Sequence, residues 1–204
     1  PWFGCSCCPT NVVRFLPSLP GYAYAVKDAA VYINLFMGSE ATVNVNGQSV
    51  RLVQETNYPW DGSITVSVDA DLEVDFELRL RIPGWVQGQP VPSDLYRYVD
   101  DSDPVPTLLV NGEAVEMHLS EGFACVRRTW ARGDAVVLHL PMPVRRVVSH
   151  PEVEPNRGRV AIERGPILFC AEAVDNGDGV RERTLNSSVD LVGDYQAGLL
   201  NGVA

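Results

Sequence analysis

The chain reads as a mainly β protein, an antiparallel β-sandwich of jelly-roll type with one short helix ahead of it. Three observations carry that reading. From Ala29 onward, apolar residues recur with a period of two in short runs separated by turn residues. Two Asn-Gly pairs, Asn46-Gly47 and Asn111-Gly112, each fall between β-patterned runs, the strongest short-range hairpin signal a sequence can carry. Past the opening segment there is almost no helical period, which leaves sheet packed on sheet as the way to bury the apolar faces.

The one helix is expected near the start, with Pro9 early, Thr10 or Asn11 as cap, and Val12, Val13, Phe15, Leu16 and Leu19 as its apolar positions. Pro17 and Pro20 limit its length and Gly21 can end it. Strands follow at Val31 to Phe36, Thr42 to Val45, Ser49 to Val53 and Ile64 to Val68, with a turn at Pro59-Trp60-Asp61-Gly62. Val74, Phe76, Leu78, Leu80 and Ile82 alternate with Asp75, Glu77, Arg79 and Arg81, a half-buried strand with one charged face. Gln87 to Pro106, rich in Pro, Asp and Ser and carrying Asp100 and Asp101, reads as a long surface loop. The second Asn-Gly hairpin joins Thr107 to Val110 with Ala114 to Met117; Phe123 to Trp130 and Ala135 to Leu140 are two further strands. The last clear strands are Arg159 to Glu163 and Ile167 to Ala173, with Gly165-Pro166 permitting a bend between them.

With 204 residues, 46% of them hydrophobic, the chain can bury a substantial core. Its net charge of −10 argues against nucleic acid or an anionic membrane surface as partner, because both are bound through basic patches. Neutral sugars impose no such sign. No run is long and apolar enough to span a bilayer, and no targeting signal is visible. Because the chain opens on Pro1 inside a motif, it is expected to be part of a longer protein, with a signal peptide ahead of it left open.

Chemistry concentrates at the start. Cys5, Cys7 and Cys8 put three of the five cysteines into four positions. A disulfide between the neighbours Cys7 and Cys8 would need a strained ring. Zinc, which takes four tetrahedral ligands and binds thiolate at about 2.3 Å, could draw two or three of them from this turn. The third option is that these are small buried hydrophobes. Thiols kept for a metal suit a reducing compartment, so a cytoplasmic location is expected.

The run Trp2-Phe3-Gly4-Cys5-Ser6-Cys7-Cys8-Pro9-Thr10-Asn11, followed by Arg14 and Gly21-Tyr22-Ala23-Tyr24, resembles the Cys-Cys-Pro-Pro-Asn segment of glycoside hydrolase family 127, which contains β-L-arabinofuranosidases. Ile82-Pro83-Gly84-Trp85, Val110-Asn111-Gly112 and Gly158 to Pro166 resemble the same family in the same order. Thr10 stands where the family commonly has a second proline.

The resemblance implies a retaining glycosidase with a zinc-bound cysteine as nucleophile. Cys7 would be nucleophile and metal ligand, Cys8 a ligand only, and Cys5 a neighbour of the metal with no assigned role. The remaining ligands, a glutamate and another cysteine, and a glutamate acid/base would lie upstream in an (α/α)6 barrel, so this chain alone is expected to be inactive. Residues 1–28 would then be a remnant of that barrel carrying its last helix, 29–149 the β-sandwich, and 150–204 further strands and a truncated tail. The expected partners are a carbohydrate substrate, an arabinofuranoside or related plant glycan, and the missing barrel. The competing reading is a non-catalytic carbohydrate-binding or structural sandwich module that braces another domain.

Other reactive side chains have plainer readings. Cys125 and Cys170 sit among apolar neighbours and are expected in the core. His118, His139 and His150 share no metal-ligand spacing. Trp60 and Trp85 flank strand ends, where a ring can stack on a sugar or cap the core. Glu163 and Arg164 lie in a family-like motif without an assigned role. No phosphate loop, Gly-x-Ser-x-Gly elbow or dinucleotide fingerprint is present.

Overall fold

The computed structural model of the chain describes residues 7–99, 104–186 and 189–198. Helix α1 spans Cys7–Phe15, a 3-10 turn follows at Leu16–Ser18, and α2 spans Pro20–Ala23. The helix begins earlier than the capping residues suggest. Thr10 lies inside it, and its hydroxyl donates back one turn to the Cys7 carbonyl at 3.0 Å instead of capping. Pro9 is tolerated because first-turn N–H groups have no intrahelical partner. Pro17 and Pro20 do break the α geometry, but Gly21 falls within α2, which ends where Tyr24 turns extended. No residue of α1 is buried.

The strands are β1 Tyr24–Lys27, β2 Ala30–Ile33, β3 Ser39–Val45, β4 Gln48–Thr56, β5 Ser63–Ala70, β6 Val74–Arg81, β7 Tyr96–Tyr98, β8 Thr107–Val110, β9 Glu113–Val115, β10 His118–Ser120, β11 Phe123–Trp130, β12 Ala135–His139, β13 Val144–Ser149, β14 Val160–Arg164 and β15 Ile167–Phe169. They form sheets ordered β1-β2-β6-β11-β10, β3-β4-β5-β12-β8-β9 and β15-β14-β13-β7. The mainly β, antiparallel class holds. The pair β2 and β6 is parallel, a local exception. By compactness the chain divides into two units, Pro1–Thr56, Ile64–Arg81 and Leu108–Val137 as the first, Asn57–Ser63, Ile82–Thr107 and Leu138–Ala204 as the second.

The first unit owes its core to the period of two. On β5, Ile64, Val66, Val68 and Ala70 are buried, and on β6, Val74, Phe76, Leu78 and Leu80 are, while their alternates face outward. Trp130 packs its indole against Phe76, ring centroids 5.6 Å apart, and donates its Nε1–H to the Phe76 carbonyl at 3.0 Å. The one polar atom of a fully buried indole is thereby satisfied. Both Asn-Gly turns close two-residue hairpins with positive φ, 52° and 77° at Asn46 and Gly47, 52° and 82° at Asn111 and Gly112. Their asparagines also reach further. Asn46 Nδ2 donates to the Asp75 carbonyl at 2.6 Å, and Asn111 Nδ2 donates to Asp134 Oδ1 at 2.7 Å. A third hairpin, through Glu121-Gly122, joins β10 and β11; its glutamate lacks the turn signature and gave no sequence signal. β1, preceding the expected onset of period two, is likewise an addition.

The second unit departs more from expectation. The region from Gln87 to Pro106 contains β7, which pairs with β13, while Asp100 and Asp101 lie outside the described residues. β13 itself carries no clean apolar alternation because Arg145 occupies an inward position. β15 is shorter than expected, and Ala173–Asn176 instead makes one helical turn, α3. Gly62 is required by contact: a Cβ there would lie 1.8 Å from the Leu140 carbonyl oxygen, on the same segment whose N–H bonds the Gly62 carbonyl at 2.8 Å. Gly165, at φ 58°, turns β14 into β15, as the Gly-Pro pair suggests.

Candidate active site

Cys7 and Cys8 open α1 with both side chains exposed and their Sγ atoms 3.7 Å apart. Neither is in a disulfide and both are exposed, so neither the strained neighbour disulfide nor burial describes them. Two thiolates sharing one tetrahedral zinc at about 2.3 Å each would stand about 3.8 Å apart. The pair therefore fits two corners of such a site without rearrangement. Cys5 lies outside the described residues. Among the described residues no three His, Cys, Asp or Glu side chains gather as a metal site, so the cluster offers two ligands and not a complete set.

One turn on, Arg14 Nη2 donates to Asn11 Oδ1 at 2.5 Å. Asn11, Val12, Arg14, Phe15, Ser18 and Tyr22 line an open groove beside the helix. The Phe15 and Tyr22 rings tilt toward each other with centroids 6.2 Å apart. Val13 is 69% exposed and Phe15 54%, so this helix presents an apolar flank to the outside.

The remaining reactive residues are not drawn to the cysteine pair. Cys125 is only half-buried on β11; burial pushes its thiol up, against the opposing pull of Arg79. Cys170 is exposed, contrary to the core reading, because it follows the edge strand β15, where Leu168 and Phe169 are exposed too. His118, His139 and His150 are all exposed. Trp85 is in the core and Trp60 is partly exposed, its carbonyl accepting from Arg164 Nη1 at 2.9 Å.

A polar cluster that the residue pattern did not reveal lies in the second unit. Arg145 and Glu163 are directly opposed on β13 and β14, and Tyr98 on β7 lies beside them. The buried Arg145 guanidinium sits 3.4 Å above the centre of the Tyr98 ring, and the Tyr98 hydroxyl donates to Glu163 Oε1 at 2.7 Å. Burial pushes the Glu163 carboxyl up, outweighing the Tyr98 bond and the Arg145 charge, both of which pull it down. The Tyr98 hydroxyl is pushed well above its ordinary range by burial and by the Glu163 carboxylate. Arg145 and Glu163 are both visible in the sequence, but only pairing register sets them opposite each other.

Comparison with known proteins points to a single family. Residues 30–142 match the model of the GH127 β-L-arabinofuranosidase middle domain, and residues 144–195 match the glycoside hydrolase family 127 C-terminal domain. A non-reducing end β-L-arabinofuranosidase of Bifidobacterium longum subsp. longum is 34% identical over 99% of this chain, which spans 29% of that protein. Among solved structures, a GH127 β-arabinofuranosidase superposes with a TM-score of 0.93 at 46% identity, over 99% of this chain and 32% of its own. A GH127 β-L-arabinofuranosidase from Geobacillus stearothermophilus T6 superposes with a TM-score of 0.86 at 38% identity, over 98% of this chain and 29% of its own. These relatives are glycoside hydrolases about three times as long as the chain. The chain belongs to glycoside hydrolase family 127.

Proposed function

We propose that this chain is the C-terminal part of a retaining glycoside hydrolase that acts on β-L-arabinofuranosides and uses Cys7 as nucleophile. The observation that carries the reading is the exposed pair of sulfur atoms 3.7 Å apart, in a chain whose relatives are β-L-arabinofuranosidases. Cys7 and Cys8 would hold a zinc ion together with ligands contributed from outside this chain. When bound, the metal supplies the positive charge that keeps a coordinated thiol ionised and fixed in place.

Cys7 at the head of α1 presents its sulfur outward, as attack on a substrate held by another part of the protein requires. The thiolate attacks the anomeric carbon; the C–S bond forms as the C–O bond to the departing alcohol breaks. That alcohol takes its proton from an acid, and water, deprotonated by the same group, then cleaves the C–S bond to return the sugar with its configuration retained. The acid/base would be the upstream glutamate that the family resemblance implies. Cys8 takes no part in bond making. We propose a cytoplasmic location for the enzyme, where thiols kept for a metal stay reduced.

The test uses the full-length enzyme. Metal analysis should find roughly one zinc per chain, and Cys7→Ser should lower kcat on an aryl β-L-arabinofuranoside by at least about a thousandfold. The isolated chain, lacking the acid and half the ligands, should bind zinc weakly and hydrolyse nothing. Turnover surviving Cys7→Ser, or a metal-free active enzyme, defeats the reading and favours a non-catalytic sandwich module.

A further inference from the structure

On an α-helix, residues four and seven positions after Cys7 return to its face, so Cys7, Asn11 and Arg14 form one exposed stripe along α1. Within that stripe, Arg14 Nη2 donates to Asn11 Oδ1 at 2.5 Å. A guanidinium can only donate, so this bond settles which end of the amide faces Arg14. The carbonyl oxygen is consumed, and Nδ2, with two N–H donors and no partner among the described residues, is directed away from Arg14. An amide held this way is a donor awaiting an acceptor. On one side of it lies the candidate nucleophile and on the other a groove whose aromatic lining, Phe15 and Tyr22, suits the apolar face of a sugar ring.

We propose that Asn11 donates a hydrogen bond from Nδ2 to a hydroxyl oxygen of the furanoside attacked by Cys7, and that Arg14 is the positioning residue that fixes the amide for this task. The inference rests on Cys7 being the nucleophile and adds a specificity-determining contact to it. Without Arg14 the amide can rotate and offer its oxygen in place of its donors, so the two residues act as a unit. Phe15 and Tyr22 add contact area and no reading of hydroxyls.

The experiment takes the full-length enzyme with 4-nitrophenyl β-L-arabinofuranoside and its 2-, 3- and 5-deoxy analogues. Asn11→Ala should lower kcat/KM for the parent by about tenfold to a hundredfold, and that loss should vanish for the one analogue that lacks the contacted hydroxyl. Asn11→Asp, of the same size but unable to donate, should behave like Asn11→Ala. Arg14→Ala should lose the same discrimination, and Arg14→Lys, which retains a donor, should recover part of it. Binding of L-arabinose measured by calorimetry should weaken in Asn11→Ala and Asn11→Asp, while zinc content and melting temperature hold.

Equal losses on the parent and all three analogues overturn the contact, as does unchanged arabinose binding. Discrimination intact in Arg14→Ala overturns the positioning role. The outcomes separate cleanly from the reading beneath them: Cys7→Ser inactive with Asn11→Ala unaffected defeats this contact alone, whereas an active Cys7→Ser enzyme defeats the nucleophile assignment.

Discussion

Replacing Tyr98 by Phe removes one hydroxyl and leaves the ring beneath Arg145 in place. That hydroxyl donates to a half-buried carboxylate at 2.7 Å, and a hydrogen bond to a charged group contributes about 1.5–3 kcal/mol. Water can reach part of Glu163, so the lower end applies and the expected cost near neutral pH is about 1.5 kcal/mol. The pH dependence is the sharper signature. Because burial raises the folded carboxyl above its ordinary value of 4.5, its stabilising contribution is full below that value and is lost as pH rises through the folded one. Removing the Tyr98 donor raises the folded carboxyl further, since that bond favours the ionised form. The variant's deficit should therefore be smaller at about pH 4 than at about pH 7. Urea unfolding at both pH values, followed through the fluorescence of the nearby buried Trp85, measures it. A deficit that is equal at the two values, or larger in acid, refutes the account of Glu163. Glu163→Gln should abolish the slope.

Asp134 has the opposite sign. Burial pushes its carboxyl up, but the Ala131 N–H, the Asn111 amide and Arg128 together hold it below its ordinary value, so Asp134→Ala should cost about 2 kcal/mol at neutral pH and progressively less in acid, by urea unfolding. Gly62→Ala should destabilise by at least about 2 kcal/mol in the same assay, since the added methyl meets a backbone carbonyl that cannot move without breaking the Leu140 to Gly62 bond. A neutral effect would mean that the segment shifts freely. Thiol titration of chain 1–204 should find Cys7, Cys8 and Cys170 fast and Cys125 slow; under the proposed zinc site, a chelator should speed the reaction of Cys8, a ligand only, in the full-length enzyme.

Much of the first unit could be read in advance because its signals are local. The alternation from Val74 to Ile82 specifies a strand with one buried face, and Asn46-Gly47 and Asn111-Gly112 specify turns whose backbone only such residues adopt cheaply. The helix starts ahead of the expected cap because Thr10 resembles a cap in sequence, whereas its hydroxyl bonds back along the helix. Strand β13 is not legible in the sequence, and the reason is physical as well. Arg145 points inward, where the period of two would put an aliphatic residue, and Tyr98, Glu163 and the Trp85 carbonyl converge on it there. Cys170 has apolar neighbours in sequence but follows an edge strand, a position that no local pattern reports.

The candidate site divides along the same line. Sequence alone determined that sulfur chemistry is concentrated at the start of the chain, because adjacency in the chain guarantees adjacency in space for Cys7 and Cys8. Only the tertiary structure decided that both thiols open a helix and face outward at zinc-compatible separation, that Arg14 holds Asn11 on the face shared with Cys7, and that Tyr98 bridges toward Glu163 from a distant strand. Short-range geometry follows from covalent connectivity and backbone sterics; pairings between remote strands follow from register and burial, which belong to the folded whole.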